Sequence, residues 1–357
     1  MCCLPADIVT ALAELDAHYG DFEQIDRGAN GYLLFAKNKI TGADVAIKFY
    51  AGVPGESRHD EPRQLCQIKS RNVLPILDAR SISDEWGFFV TPRCFEGDLD
   101  DLIATQPSVH EAFDLALGIC NGVSAIHMLR MLHRDLKPAN IVMQGGSPQI
   151  ADFGSVRVMN EGDSHVAASS HSILYRPPES FASGQYTVQG DIYQVGVVLY
   201  QLLGGELSYE ANSYLNAKQR KQLAAFSDPV DRCIFEDSVI RDRATAGTLL
   251  NLSSLAPWLG GDVKRALRAM TSPNPETRLA SIADLAAAIT QVRAATSNWR
   301  WMGEVAVLRT IAKTVELRPE GDDTYQGYQA SGMGGAFRRV PGLKPGGLSA
   351  LVRALTS

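Results

Sequence analysis

The stretch LHRDLKPANIV, residues 132–142, followed by QIADFGSVR at 149–157, limits what this chain can fold into more than any other part of it. By residue type alone it is a polar turn between two short strands. A turn, however, has no need for Asp135, Lys137, Asn140 and Asp152 in that order: two carboxylates and an amide, which are hard oxygen ligands, and an ammonium. Chance does not assemble such a string, and the rest of the chain has to be built around it.

With 357 residues, 45% of them hydrophobic, the chain can bury a sizeable core as one large domain or two modest ones. Charged residues make up 21% and the net charge is -6, so no general positive field selects nucleic acid or acidic lipid, although a local basic patch stays open. The start, MCCLPADIVT, lacks the cationic and apolar regions of a secretion signal, and no segment has the roughly 18 apolar residues of a membrane span. A cytoplasmic location is expected. Six cysteines, at 2, 3, 66, 94, 120 and 233, form no CxxC pair and no zinc-ligand spacing. They are expected to be reduced thiols, mostly packing residues.

PADIVTALAELDAHY spells a short amphipathic helix, and residues 23–50 and 73–92 then read as strands, with a turn at TGAD, 41–44. From about residue 98 the period becomes helical. Ser108 and Glu111 are spaced as a capping box ahead of a long helix to about Leu129. SIAD, 281–284, starts another, with Leu285, Ile289 and Val292 on one face. A strand-rich first part and a helix-rich second part describe two lobes, and clefts between lobes are favoured ligand sites.

On the motifs at 132–142 and 149–157, the chain resembles the eukaryotic-type (Hanks-type) serine/threonine protein kinase family over roughly residues 23–293. The resemblance implies an α+β, bilobal protein kinase-like fold with a small β-rich N-lobe carrying one helix and a larger, mainly helical C-lobe. It implies an N-terminal helical extension at 1–20, a kinase domain at 21–293 (N-lobe about 21–92, C-lobe about 95–293) and a C-terminal accessory extension at 294–357. It implies ATP and Mg²⁺ as cofactors and protein substrates as partners, with no membrane or nucleic acid among them. Phosphoryl transfer asks the protein for positioning and charge neutralisation more than for covalent chemistry. By position, Asp135 is then the carboxylate that orients the substrate hydroxyl and accepts its proton, Lys137 stabilises the transferring group, and Asn140 and Asp152 hold Mg²⁺.

In VAIK, 45–48, Lys48 stands where the family's lysine contacts the α- and β-phosphates. Its partner is expected to be Glu61, with Glu56 the alternative; Pro62 makes the helix there start late and stay short. In FFVTPRCFEGDLDDL, 88–102, Thr91 takes the gatekeeper place and the backbone of Pro92 to Cys94 faces adenine. Asp98 meets the ribose or caps a helix. Leu33, Ala46 and Val142 sandwich the adenine. In EQIDRGANGYLLF, 23–35, Gly28 and Gly31 keep two of the family's three loop glycines and Asp26 replaces the first, giving an altered but functional phosphate loop.

Glu179 in SILYRPPES, Arg278 in PNPETRL and Asp191 in GDIYQVG match the family's scaffold residues; small-molecule kinases generally lack the Glu–Arg pair, which favours a protein substrate. Lys137 favours serine or threonine over tyrosine. Arg134 would receive a phosphate from Ser164, Ser169 or Ser170, while Ser172 hydrogen-bonds the catalytic loop. A pseudokinase-like ATP-binding scaffold and a kinase of small-molecule hydroxyls are the alternatives. NAKQRKQLAAF is an amphipathic basic stretch inside a long connection, 205–258. The tail holds Trp299, Trp301, alternating EVAVLRT and KTVELRP, and a short helix LSALVRAL. Two or three short strands of that kind are marginal alone. The tail is therefore expected to dock on the kinase domain or on a partner.

Overall fold

Alternation along DVAIKFYA sends Val45, Ile47 and Phe49 to one face of a strand and Ala46, Lys48 and Tyr50 to the other, and this split organises the first lobe. The computed structural model describes residues 4–28, 31–51, 60–160, 162–168, 172–332 and 335–356, and of residues 24–28, 60 and 61 the main chain only. Helix α1 (Ala6–Leu15) precedes strands β1 (Tyr19–Gly28), β2 (Gly31–Asn38) and β3 (Asp44–Ala51), helix α2 (Asp60–Gln67), and strands β4 (Asp78–Ser81) and β5 (Trp86–Pro92). The strands form one antiparallel sheet in the order β1-β2-β3-β5-β4. Ile8, Ala11 and Leu15 of α1 cover one face, packed with Val45, Ile47, Phe49, Phe88 and Val90.

The sheet begins at Tyr19, inside the segment assigned to the extension, and residues 74–77, expected as strand, lie outside it. Val73 is bridged to Ile150, and the Leu77 N–H reaches the Val90 carbonyl of β5. Helix α2 is eight residues long with Pro62 as its third, as the proline requires.

The second lobe runs through α3 (Leu99–Ala104), α4 (Val109–Met128), β6 (Met131–Leu132), β7 (Ile141–Gln144), β8 (Ser147–Ile150), β9 (Arg157–Val158), β10 (Val166–Ala167), α5 (Pro178–Ser183), β11 (Gln185–Tyr186) and α6 (Val188–Leu202). It continues with α7 (Ala217–Leu223), α8 (Pro229–Thr245), α9 (Gly261–Met270) and α10 (Ile282–Ala295). The Ser108 capping box opens α4, and Ser281 caps α10 by accepting from the Asp284 N–H. Helix α6 is buried from Gly190 to Leu202 and is the axis of the lobe.

The tail folds into β12 (Asn298–Met302), β13 (Val305–Arg309), β14 (Lys313–Gly321), β15 (Thr324–Ser331) and β16 (Arg338–Arg339), one antiparallel sheet in chain order, then α11 (Leu348–Thr356). Trp299, fully buried, stacks on Trp258 of the second lobe at 5.3 Å and 11°, and Trp301 meets the same ring at 4.9 Å. The Asn298 side chain accepts from the His110 N–H at the start of α4. Leu317, Leu351 and Val352 belong to the same buried cluster as α4 and α6.

The four described cysteines are free thiols. Among the described cysteines the expectation that most would be packing residues holds for Cys120 alone; Cys66 and Cys233 are exposed and Cys94 is half-buried.

Candidate active site

The turn between β6 and β7 carries the HRDLKPAN string, and a single buried carboxylate holds it in shape. Asp191, near the start of α6, accepts hydrogen bonds from the backbone N–H groups of His133 and Arg134, both at 3.0 Å, from His127 Nε2 at 2.7 Å and from the Tyr186 hydroxyl at 2.8 Å. Burial pushes the Asp191 carboxyl up, but these donors outweigh it and hold it below the usual carboxylate range. Gln194 adds a second clamp, accepting from the Leu136 N–H at 2.8 Å and donating to the Arg134 carbonyl at 3.2 Å. So fixed, Arg134 occupies the left-handed region at φ 69°.

The clamped loop presents Asp135, which is 4% exposed. Its Oδ2 accepts from Lys137 Nζ at 3.0 Å and from Asn140 Nδ2 at 3.1 Å. Its Oδ1 is buried and has no hydrogen-bond partner among the described residues. Lys137 Nζ donates as well to Ser172 Oγ at 2.9 Å, which joins the catalytic loop to the segment after β10. Asn140 commits its nitrogen to Asp135, and its amide oxygen carries none of these bonds.

Asp152 lies across the cleft in the left-handed region, φ 55°, and accepts from Lys48 Nζ at 2.9 Å. Burial raises its carboxyl, yet the Lys48 ammonium, its hydrogen bond and the nearby His133 and Gly154 N–H together bring it below its ordinary value. A deprotonated carboxylate beside an amide oxygen is the donor chemistry a hard divalent cation takes.

A cleft of about 560 Å³ opens between the lobes above these groups. Leu33, Ala46 and Val142 line it, as do Thr91 and Cys94 of the hinge. Gly31 is at its rim with φ +152°, where a Cβ would come within 1.8 Å of the Phe49 carbonyl oxygen. Gly28 pairs with Gly31 across the β1–β2 ladder. The Asp26 side chain lies outside the described residues, as do the side chain of Glu61 and the whole of Glu56, so neither partner expected for Lys48 is among the groups described.

Asp98 is the N-cap of α3, accepting from the Asp100 and Asp101 N–H groups in a capping box. Arg134 donates to the carbonyls of Ser155 and Ala167. Of the three expected phosphate acceptors, Ser164 is exposed, and Ser169 and Ser170 lie outside the described residues. Glu179 and the buried Arg278 form a two-pronged ion pair at 2.7 and 2.6 Å, with the guanidinium 5.0 Å from the Tyr193 ring.

His127, Tyr186 and Gln194, which complete the clamp on the catalytic loop, were not identifiable by motif. The one available signal is a polar side chain on an otherwise apolar helix, as at Gln194 in IYQVGVV.

The protein kinase domain model matches residues 19–290. The chain is similar to the mitogen-activated protein kinase hog1 of Botryotinia fuckeliana, 28% identical over 219 residues, which is 59% of this chain and 61% of that protein. HOG1 of Arthrobotrys oligospora is 29% identical over the same shares. Mitogen-activated protein kinase sty1 of Schizosaccharomyces pombe is 28% identical over 211 residues, 57% of this chain and 59% of that protein. The match thus spans about three fifths of the length of these curated relatives.

Proposed function

The chain belongs to the protein kinase domain family, and we propose that it transfers the γ-phosphoryl group of ATP to serine or threonine hydroxyls of proteins, itself included. The observation that carries this is the state of Asp135: one oxygen is held by Lys137 and Asn140, and the other is buried without a partner among the described residues. A buried carboxylate oxygen left open is costly unless a ligand supplies the donor, and a substrate hydroxyl does so. Lys137, already against Asp135, stands where charge develops on the transferring group. Lys48 reaches the cleft paired to Asp152 and is the cation for the inner phosphates.

Asn140 and Asp152 would hold Mg²⁺, which supplies neutralisation of the phosphate charge. Leu33, Ala46 and Val142 would enclose the adenine and Thr91 and Cys94 mark its hinge edge, while Asp98 serves as the α3 cap. The Glu179–Arg278 pair supports a protein acceptor over a small metabolite. The division into extension (1–20), kinase domain (21–293) and accessory extension (294–357) belongs to this reading, as does a cytoplasmic location. Among the described residues, no helix is long and apolar enough to cross a membrane.

Transfer from labelled ATP to casein and to a panel of small hydroxyl metabolites tests it. Phosphorylated casein is the expected product, and Asp135→Ala should lower transfer by about 10²- to 10⁴-fold while nucleotide binding persists. Wild-type transfer by that variant, or transfer to metabolites alone, would overturn it.

A further inference from the structure

Strand register carries one row of side chains across the first sheet to the cleft. Glu23 of β1 stands opposite Phe35 of β2, Phe35 opposite Ala46 of β3, and Ala46 opposite Thr91 of β5. Directly paired residues share a face, and Phe35, Ala46 and Thr91 all line the cleft. The pairing runs one step past the end of β5, because the Arg93 N–H donates to the Asp44 carbonyl of β3 at 3.1 Å. With a period of two, Arg93 falls on the face of Thr91.

The Arg93 guanidinium turns back along that row. It lies over the Phe35 ring at 3.9 Å and over the Phe95 ring at 4.8 Å, and it is paired to Glu23 Oε2 at 3.2 Å. One planar cation thus joins β1, β2 and the residues that lead from the hinge into α3. The Glu23 side chain is 62% exposed, so its ion pair contributes little. The Arg93 side chain is only 23% exposed, and a flat guanidinium shielded from water over a ring face is the stronger contact. A half-buried ring on a cleft wall has rotamer freedom that a bound nucleotide would have to freeze; held against Arg93, Phe35 is already fixed.

We propose that Arg93 is a positioning residue for the nucleotide: by stacking on Phe35 it sets one wall of the cleft for the adenosine of ATP, and its own main chain ties that wall to the hinge. This deepens the nucleotide binding proposed above and rests on it. Pro92 and Cys94, on either side of Arg93, line the cleft themselves, whereas Arg93 acts on the nucleotide through Phe35.

Calorimetric titration of the full chain with MgADP tests the assignment and needs neither acceptor nor turnover. Arg93→Ala should weaken MgADP binding by about three- to tenfold, with the thermal midpoint of the nucleotide-free chain unchanged. Arg93→Lys keeps a charge for Glu23 but not the planar face, and should resemble Arg93→Ala more than the wild type. Phe35→Ala should weaken binding as well, and adding Arg93→Ala to it should cost nothing further, since both remove the same contact. Wild-type affinity in Arg93→Ala or in Arg93→Lys overturns the assignment. So do losses that add in the double variant, and so does a fall in the midpoint of Arg93→Ala, the mark of general loosening. A wild type that binds no MgADP removes the proposed activity and this inference together; a wild type that binds it, with indifferent variants, removes this inference alone.

Discussion

His133 is closed off from water and stands among Asp135, Asp152 and Asp191. Burial pushes its imidazole pKa down, and the three carboxylates do not make up the difference. The folded protein therefore keeps this ring neutral where the unfolded chain, titrating near about pH 6.5, takes up a proton. The stability His133 supports is complete above about pH 6.5 and declines as pH falls below it, by up to about 1.4 kcal/mol per pH unit. His133→Phe preserves the edge-on contact with Phe153 at 5.2 Å and should flatten the slope of the thermal midpoint between pH 7 and 5. An unchanged slope would assign that sensitivity elsewhere. The residues proposed for phosphoryl transfer were legible in the sequence because that chemistry dictates their types: Lys137 and Asn140 both bond Asp135, and Asp152 lines the same cleft as Asn140, paired to Lys48. The Asp191 clamp was less so, since His127 and Tyr186 reach it from separate elements and each is, by itself, an ordinary polar residue.

At the scale of elements, the tail is where the sequence was least readable. EVAVLRT and KTVELRP announce β13 and β14 by alternation, and LSALVRAL announces α11. Strand β12 was hidden in plain view: in NWRWM the period-two spacing of the tryptophans is the strand signal, and both indoles point to Trp258. Strand β15 was obscured by Gly327, which weakens any local strand pattern. The glycine is there for packing, because a Cβ would stand 2.5 Å from Leu343 Cδ2. Trp299→Ala would open a cavity between the sheet and α4 and should cost about 3–5 kcal/mol. Chemical denaturation read by circular dichroism measures it; a loss under about 1 kcal/mol would mean that the sheet contributes little to the lobe.

Across the whole molecule, the parts on either side of the two lobes act as covers. Helix α1 covers the N-lobe sheet, and the tail sheet with α11 covers the lower lobe around Trp258. Truncation after residue 296 should thus lower the thermal midpoint of the kinase domain by about 5 °C or more and make it bind a hydrophobic dye. An unchanged midpoint, with rapid proteolysis of 303–350 in the full chain, would show the tail to be a passenger. The two-lobed plan was legible because strand and helix periods separate along the chain; the docking of the tail depends on contacts between residues far apart, which periodicity does not encode. The indole stack also bears on the order of synthesis. Trp258 leaves the ribosome before Trp299 by roughly 2–8 s, taking translation at about 5–20 residues per second. For that interval the growing lobe carries an uncovered tryptophan face, open to chaperones and to neighbouring chains. Translation that stalls before the codon for Trp299 would release a lobe already able to form its catalytic loop but not able to close its own core.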